Sequence, residues 1–501
     1  MEQGGLAGAG AAAPAVEAGL LAEVKSWLFP ISALFLFCVY PLLVLAWTAA
    51  EGAAASRAQE ALKRCGSGRR LSQGRRGRGE RQEVAEKLRG KVKCSGPEDT
   101  KGDKGAKPKG AVPQAACSGW PSARFLAQRA SGCLALAATA AGSLASGGLL
   151  LACALRLALY SLMLSPWFLQ IGYRYFHDPS IRRTIRYGPH VRNYVDVYLP
   201  SEAAVTAMVG EGGRSPVVVT VMGGAWIIGH RLWNVLLAMR LAQAGVTVVA
   251  VDYRNYPRAF VHEMVEDVGA AVDWTFAKIA SYGGDPRNVA LIGQSAGAHL
   301  EAMLLLQRSM EEARAARAGG GPAAAGGPAR SWSVGDLRGW FGVAGPYDLF
   351  AIMAHLERRR LPSCMHHLFE GGDVARQSPM HVLESPEWLA VAAKAAARMP
   401  PVYLLSGGKD RTVPVACSAR FAEALRAAGA GDVRLDVRPG LRHAEPVVED
   451  PLTGGDMQVK LLLRLLIGES RSQKVLQSLT KPPYPQVPRA LASLALTVMP
   501  F

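Results

Sequence analysis

A single G-x-S-x-G pentapeptide at residues 293–297 constrains the fold of this 501-residue chain more than any other feature. An apolar, β-prone run precedes it at 289–292, and helix-forming residues follow it at 298–306. This order of strand, sharp turn and helix predicts an elbow that holds the hydroxyl of Ser295 above the end of a sheet. The flanking glycines have a steric role, because such a turn leaves no room for Cβ atoms.

Apolar strands and helices alternate around this elbow in the sequence. Residues 194–199 alternate between apolar and polar side chains, as a half-buried strand does. Residues 216–221 and 246–251 are nearly continuous β-branched runs, which are typical of strands covered on both faces. The other predicted strands are 338–343, 402–406 and 433–437, and the predicted helices are 232–244, 261–280, 415–428 and 456–466.

Residues 180–470 are therefore predicted to form an α/β catalytic domain. Its sheet is expected to be mostly parallel, with helices covering both faces. An Ala, Gly, Pro and Arg tract at 311–330 predicts a surface insertion, since long loops cost little folding free energy. The C-terminal tail, 471–501, ends in an apolar run that either docks on the domain or contacts a bilayer.

Two apolar blocks lie ahead of this domain. Residues 1–25 are rich in Ala and Gly and are expected to be disordered. Residues 26–47 are uncharged and about as long as a membrane span, and the acidic residues ahead of them disfavour a cleaved signal peptide. The second block, 130–171, is predicted to be a membrane segment, as one span or a bent hairpin, with a buried core helix as the alternative.

The segment between these blocks, residues 48–129, is basic and of low complexity. Residues 51–130 hold 19 Lys and Arg against 8 Asp and Glu, which supplies eleven of the 17 net positive charges. Such a segment has too little apolar surface to fold and is predicted to be a disordered linker. Aromatic residues are nearly absent from it, which favours a loop beside a membrane over a nucleic-acid-binding surface.

Three side chains are predicted to act together in ester chemistry. A serine hydroxyl needs a base to become a nucleophile, and the base needs a carboxylate to orient it. Asp410 follows predicted strand 402–406, and His443 lies in the loop after predicted strand 433–437. Both are therefore expected at the same sheet edge as Ser295, in the chain order that this fold uses. The alternatives are a helix-capping aspartate and a solvated loop histidine.

Ester hydrolysis also requires N–H donors for the oxyanion that develops on the carbonyl oxygen. The elbow supplies the backbone N–H of Ala296, the residue after the nucleophile. Gly223, Gly224 and Ala225 follow strand 216–221, where a second donor is expected. Glycine lets the backbone turn its N–H groups inward and approach a ligand closely. A plain glycine turn is the alternative.

Several other side chains are weaker candidates for the site. His299 lies one turn beyond Ser295 and is expected to pack in the core. Trp226 and Trp233 either form an apolar substrate wall or belong to the core. The alternative acids, each less well placed than Asp410, are Asp432, Asp436, Glu445 and Glu449. No cysteine pair has metal-ligand spacing, and neither a metal nor a cofactor is expected.

Four motifs in order give the chain a resemblance to a known family. They are Gly-Gly-Ala-Trp-Ile-Ile-Gly at 223–229, Val-Asp-Tyr-Arg-Asn at 251–255, Tyr-Gly-Gly-Asp-Pro at 282–286 and Gly-Gln-Ser-Ala-Gly-Ala-His at 293–299. The chain resembles the plant isoprenylcysteine α-carbonyl methylesterases, which belong to the hormone-sensitive-lipase-like branch of α/β-hydrolases. The likeness covers about residues 157–467.

This resemblance implies hydrolysis of the methyl ester on a C-terminal prenylcysteine, at endoplasmic reticulum and Golgi membranes. The prenylcysteine esters and membrane lipid are then the expected partners, and the catalytic domain is expected to face the cytosol. The resemblance assigns Ser295 as nucleophile, Asp410 as acid and His443 as base. It also implies that the backbones of residues 223–225 and of Gln294, Ser295 and Ala296 hold the substrate.

The sequence departs from the family at neighbours of these residues. Met222 stands where relatives have threonine or histidine, Ser406 replaces a histidine, and Ala444-Glu445 replaces Thr-Asp. Two other functions remain open. The same residues could serve a carboxylesterase or deacetylase of another lipophilic ester, or the fold could be a silent receptor for a small ligand. The retained His443 favours an enzyme, because receptors of this branch lack that histidine.

Overall fold

The computed structural model describes residues 144–317, 332–359 and 365–499. The predicted N-terminus, first apolar run and basic linker, at 1–25, 26–47 and 48–129, lie outside these residues. The beginning of the 130–171 block lies outside them as well.

Eight strands of the described residues form one sheet in the order β1-β2-β4-β3-β5-β6-β7-β8. β2 runs antiparallel to both β1 and β4, whereas all the other neighbours are parallel. The predicted, mostly parallel sheet is therefore confirmed. The strands are β1 (Ile181–Arg186), β2 (Tyr194–Tyr198), β3 (Ser215–Val221), β4 (Thr247–Val251), β5 (Gly284–Gln294), β6 (Leu337–Val343), β7 (Val402–Gly407) and β8 (Val433–Arg438).

Helices connect and cover these strands. Between the strands lie α2 (Glu202–Val209), α3 (Val235–Gln243), α4 (Val261–Lys278), α5 (Ala296–Arg317), α6 (Leu349–Arg358), α7 (Met365–Leu368), α8 (Pro379–Glu384), α9 (Pro386–Leu389), α10 (Ala392–Ala396) and α11 (Val415–Ala427). One helix precedes β1, namely α1 (Leu144–His177). The helices after β8 are α12 (Glu449–Leu452), α13 (Met457–Ile467), α14 (Glu469–Ser478) and α15 (Arg489–Val498).

The central strands are apolar on both faces because each face packs against a separate core. In β3, Val217 and Val219 belong to the core on the side of α4 and α5. Val218, between them, belongs to the core on the side of α1, α3 and α13. All seven residues of β3 are buried, as the continuous β-branched run predicts.

Two segments of the domain differ from the sequence-based expectation. β1, with the sequence Ile-Arg-Arg-Thr-Ile-Arg, was not predicted as a strand, because its arginines hide the apolar alternation. Charged side chains are common on such edge strands, where they oppose pairing with other chains. Residues 311–317 of the predicted insertion at 311–330 belong to α5, which continues to Arg317. The rest of this predicted insertion lies outside the described residues.

The described part of the 130–171 block is one helix, α1, which continues to His177. It runs through Arg156 and Pro166 without the bend that the hairpin alternative requires. One side of α1 is buried on the core beside the sheet through Tyr160, Leu164 and Ile171. Within the described ranges, no helix is both long and apolar enough to cross a membrane.

The tail docks on the domain, which is one of the two predicted alternatives. Ala492 and Ala495 of α15 are buried in the same core as α1. Trp167 Nε1 of α1 donates a hydrogen bond of 2.9 Å to Gln486 O just before α15. The two ends of the described chain therefore pack together beside the sheet.

Replacing Ile171 tests whether α1 is an integral part of the fold. Ile171 is fully buried, so Ile171→Ala should lower the free energy of unfolding by about 2–5 kcal/mol. Leu162 lies on the same helix but is 66% exposed. Leu162→Ala should therefore change the free energy of unfolding by less than about 0.5 kcal/mol. Urea unfolding of the full chain measures both. Equal effects of the two substitutions would show that α1 does not dock.

Candidate active site

The elbow between β5 and α5 places Ser295 in a strained conformation at the edge of the sheet. Its φ is 53°, in the left-handed region that non-glycine residues rarely adopt. A Cβ at Gly293 would lie 2.5 Å from Ala298 N, and one at Gly297 would lie 2.0 Å from Val221 O. Only glycine fits at either position. The Ser295 N–H donates to Val343 O at 2.8 Å, which fixes the turn to the end of β6.

Asp410 lies in the loop after β7, with its side chain only 1% exposed. Its Oδ1 accepts hydrogen bonds from Thr412 N at 2.7 Å and from Val413 N at 2.8 Å. These two backbone donors fix the orientation of the carboxylate. Its other oxygen, Oδ2, lies 2.7 Å from Nδ1 of His443.

His443 lies in the loop after β8 and connects the acid to the serine. Its Nε2 lies 3.0 Å from Ser295 Oγ. An ionised carboxylate can only accept, so Nδ1 carries the hydrogen and Nε2 is free to accept the serine proton. The structure thus brings the three predicted residues, Ser295, Asp410 and His443, into one hydrogen-bonded chain.

The predicted glycine loop lies directly against the elbow. A Cβ at Gly223 would lie 2.6 Å from Gln294 O and 2.7 Å from the Ser295 Cβ. Gly224 has a φ of 128°, and a Cβ there would lie 2.5 Å from Gly229 N. The backbones of Gly223, Gly224 and Ala225 line the same cavity as Ser295. This placement agrees with their predicted role beside the N–H of Ala296.

Two hydrogen bonds from a neighbouring segment hold the glycine loop in place. Tyr253 Oη donates to Met222 O at 3.0 Å, and Asn255 Nδ2 donates to Gly229 O at 2.9 Å. Both donors belong to the Val-Asp-Tyr-Arg-Asn motif at 251–255, which follows β4. That motif therefore supports the loop rather than contacting the cavity itself.

His299 packs in the core, as expected. It is fully buried, and burial lowers the pKa of its imidazole from 6.5 to about 4. Its Nε2 donates to Gln377 O at 2.7 Å, while Nδ1 accepts from Trp226 Nε1 at 3.3 Å. The neutral ring thereby holds Trp226, which directly follows the glycine loop.

The alternative acids make other contacts. Glu449 is buried and accepts from Tyr160 Oη at 2.5 Å, and burial raises the pKa of its carboxyl. Glu445 accepts from Arg442 N at 3.1 Å. Asp432 pairs with Arg434, and Asp436 pairs with Arg438; both arginines belong to β8. His443 therefore has Asp410 as its carboxylate partner.

A cavity of about 320 Å³ opens beside the serine, and its wall is mostly apolar. Of the two candidate tryptophans, Trp233 lines it, whereas Trp226 is buried against His299. Gln294 also lines it, with Nε2 at 3.4 Å from Nε2 of His443. Residues that the sequence analysis did not assign to the site complete the wall: Leu157, Tyr160, Ser161, Phe168 and Ile171 of α1, Ile228, Val447, Val448 and Met499.

One sequence signal could have indicated the role of α1. The block at 130–171 contains Tyr160 and Ser161, two polar side chains next to each other in an otherwise apolar helix. Polar side chains at these positions favour a helix that packs on protein. Met499 carried no comparable signal, because its place depends on the docking of α15.

The buried, neutral His299 predicts a stability change at acid pH. Because its pKa in the folded protein is about 4 and its ordinary value is 6.5, the unfolded chain binds the proton first as pH falls. The stability that the neutral ring contributes is therefore lost between pH 6.5 and 4. Urea unfolding at about pH 7.5 and about pH 5 should show a smaller loss for His299→Gln than for the wild type. An equal loss in both proteins would contradict this assignment.

Comparisons with known proteins agree with this architecture. Residues 195–425 match the BD-FAE family. Isoprenylcysteine α-carbonyl methylesterase ICME from Arabidopsis thaliana is 35% identical over 69% of this chain and 76% of its own length. Esterase LipQ from Mycobacterium tuberculosis is 31% identical over 52% of this chain and 56% of its own. Esterase B from Lactobacillus rhamnosis has solved structures that align with this chain at lower identity.

 
In its phosphonate-inhibited form the aligned shares are 64% of this chain and 96% of that one, with 17% sequence identity and a TM-score of 0.43. In a second structure of this esterase they are 65% and 97%, with 18% identity and a TM-score of 0.43.

The identity to the plant protein extends over most of both chains. The chain therefore belongs to the isoprenylcysteine α-carbonyl methylesterase family and is a carboxylic ester hydrolase.

Proposed function

We propose that this protein hydrolyses the methyl ester of a C-terminal isoprenylcysteine, with Ser295 as nucleophile, His443 as base and Asp410 as the orienting acid. The observation that carries the proposal is the unbroken hydrogen-bonded chain from Asp410 through His443 to Ser295. This chain ends at the wall of a largely apolar cavity, which suits an ester that bears a hydrocarbon chain.

The reaction begins when Ser295 Oγ attacks the ester carbonyl carbon and its proton moves to His443 Nε2. The negative charge that develops on the carbonyl oxygen is stabilised by backbone N–H groups of Ala296 and of the loop at 223–225. When the intermediate collapses, the C–O bond to the methoxy group breaks, and His443 gives its proton to the departing methanol.

Water completes the cycle. His443 Nε2 takes a proton from a water molecule, which attacks the acyl-enzyme carbonyl. The bond to Ser295 Oγ then breaks, and the serine regains its proton from His443. The products are methanol and a prenylcysteine with a free carboxylate. Throughout, Asp410 holds the hydrogen on Nδ1 and stabilises the imidazolium that forms.

The apolar cavity gives the prenyl chain a place to bind. The prenyl group belongs to the acyl side of this ester, whereas the alcohol side is only a methyl group. Each CH₂ group buried contributes about 0.8 kcal/mol, so a long hydrocarbon chain supplies much of the binding energy. Trp233, Phe168 and Ile171 offer apolar surface for this purpose.

A second candidate is a carboxylesterase of another lipophilic ester. This candidate is supported by the mostly apolar cavity wall, which has few polar groups besides the triad and would accept other apolar acyl groups. A silent receptor is disfavoured, because His443 is present and lies within hydrogen-bond distance of Ser295.

We further propose that the protein works at the endoplasmic reticulum and Golgi membranes, with its catalytic domain facing the cytosol. Support comes from the outer side of α1, where Leu155, Leu159 and Leu162 are 62%, 46% and 66% exposed. Their spacing of four and three residues puts them on one face of the helix. Leu494 of the neighbouring α15 is 56% exposed as well. A lipid surface would cover these side chains while the opposite face of α1 lines the cavity.

Substitutions in the triad test the proposed activity directly. With farnesylcysteine methyl ester as substrate, Ser295→Ala should lower kcat by about 10⁶-fold. Asp410→Asn should lower it by about 10⁴-fold, because the imidazole loses its required tautomer. Asp436→Asn is the matched control, since this aspartate is half exposed and pairs with Arg438. Full activity of Ser295→Ala would end the proposal, and activity on p-nitrophenyl esters alone would favour the second candidate.

The membrane proposal predicts a difference between substrates in vesicles and in solution. Replacing Leu155, Leu159 and Leu162 together by Ser should reduce hydrolysis of farnesylcysteine methyl ester in phospholipid vesicles by about tenfold or more. Hydrolysis of water-soluble p-nitrophenyl acetate should not change. Leu389→Ser is the control, because Leu389 is 64% exposed but lies on α9. Equal vesicle activity in the triple variant and the wild type would rule out this face as the membrane contact.

A further inference from the structure

The last turn of α15 closes one side of the active-site cavity. Met499, which directly follows α15, lines the cavity together with Leu157 of α1. Its backbone N–H continues the helix by donating to Ala495 O at 3.2 Å. The cavity wall is thus built partly from residues about 200 positions beyond Ser295 in the chain.

Two arginines hold this turn in place. Arg156 of α1 donates from Nε to Val498 O at 3.0 Å, and from Nη2 to Thr497 O at 3.1 Å and Met499 O at 3.5 Å. Carbonyl groups at the end of a helix have no hydrogen-bond partners within the helix and carry partial negative charge. A guanidinium group donates hydrogen bonds to them and offsets this charge.

The second arginine comes from the catalytic loop. Arg442, the residue before His443, donates from Nη1 to Leu496 O at 2.5 Å. The turn at 496–499 is therefore fixed on one side to α1 and on the other to the loop that carries the base. Met499 is held at the cavity by these contacts and is not simply the end of a loose tail.

The cavity extends along α1 from Leu157 to Ile171. Fourteen helical residues separate these two positions, which corresponds to about 21 Å. Met499 lies at the Leu157 end, because the carbonyl of Met499 contacts Arg156. The apolar wall of the cavity is therefore long enough to contact a hydrocarbon chain, and Met499 forms part of this wall.

We propose that Met499, clamped by Arg156 and Arg442, sets the length of the prenyl chain that this enzyme accepts. The inference rests on the proposed function, because the ligand is the prenyl group of the ester. A geranylgeranyl chain is one isoprene unit longer than a farnesyl chain, and the size of the side chain at position 499 decides whether the cavity accommodates this unit. Met499 is thus a specificity-determining residue that takes no part in the chemical step.

Binding to a Ser295→Ala background tests this without requiring turnover. Calorimetry with farnesylcysteine and geranylgeranylcysteine methyl esters, in the full chain, gives the affinity ratio of the two ligands. Met499→Ala should shift this ratio towards geranylgeranyl by about tenfold, since each accommodated CH₂ contributes about 0.8 kcal/mol. Met499→Trp should shift it towards farnesyl. Leu494→Ala, on the same helix but 56% exposed, is the control and should leave the ratio unchanged.

Arg156→Gln provides an independent variant, because it loosens the clamp and leaves the cavity lining intact. It should shift the ratio in the same direction as Met499→Ala. Unchanged ratios in all of the Met499 and Arg156 variants would overturn the inference. If the ratios shift as expected but the Ser295 enzyme does not hydrolyse either ester, the proposed function fails while the length-measuring wall stands.

Discussion

The close approach of the elbow to the ends of β3 and β6 is the constraint on which the site depends. Gly297 lies so near Val221 that a Cβ would be 2.0 Å from its carbonyl oxygen, and Ser295 N–H bonds to Val343 O at 2.8 Å. These contacts hold Ser295 at a φ of 53°, a conformation that a free chain would leave. The surrounding sheet supplies the packing that maintains this strain, and the hydroxyl is presented to His443 as a result.

The parallel arrangement of the strands explains why residues of the site are distant in sequence. β5, β7 and β8 are parallel and near one another, so the loops at their carboxyl ends bring Ser295, Asp410 and His443 to one edge. The glycine loop after β3 reaches that edge from the other side. Helix α1 and the turn after α15 then cover it with apolar surface. The hydrogen-bonded polar side chains and the apolar wall of the cavity thus come from different parts of the chain.

Sequence patterns predicted the parts of this arrangement that depend on local chemistry. The elbow glycines, the β-branched central strands and the loop positions of Asp410 and His443 each carry a local signal. β1 was missed because its arginines obscure the strand pattern. The docking of α1 on the domain was predicted only as the alternative to a membrane segment, because an apolar helix that packs on protein resembles one in lipid. The position of Met499 in the cavity wall depends on a hydrogen bond from Arg156, 343 residues away, and on one from Arg442 to Leu496, and no local pattern encodes such contacts.

The most direct test of the account is the reaction of the full chain with a fluorophosphonate, followed by mass spectrometry of the labelled peptide. The account predicts a covalent adduct on Ser295 in the wild type and a rate of labelling lower by several orders of magnitude in His443→Ala. Labelling of a different residue, or labelling of Ser295 at the same rate without His443, would contradict it.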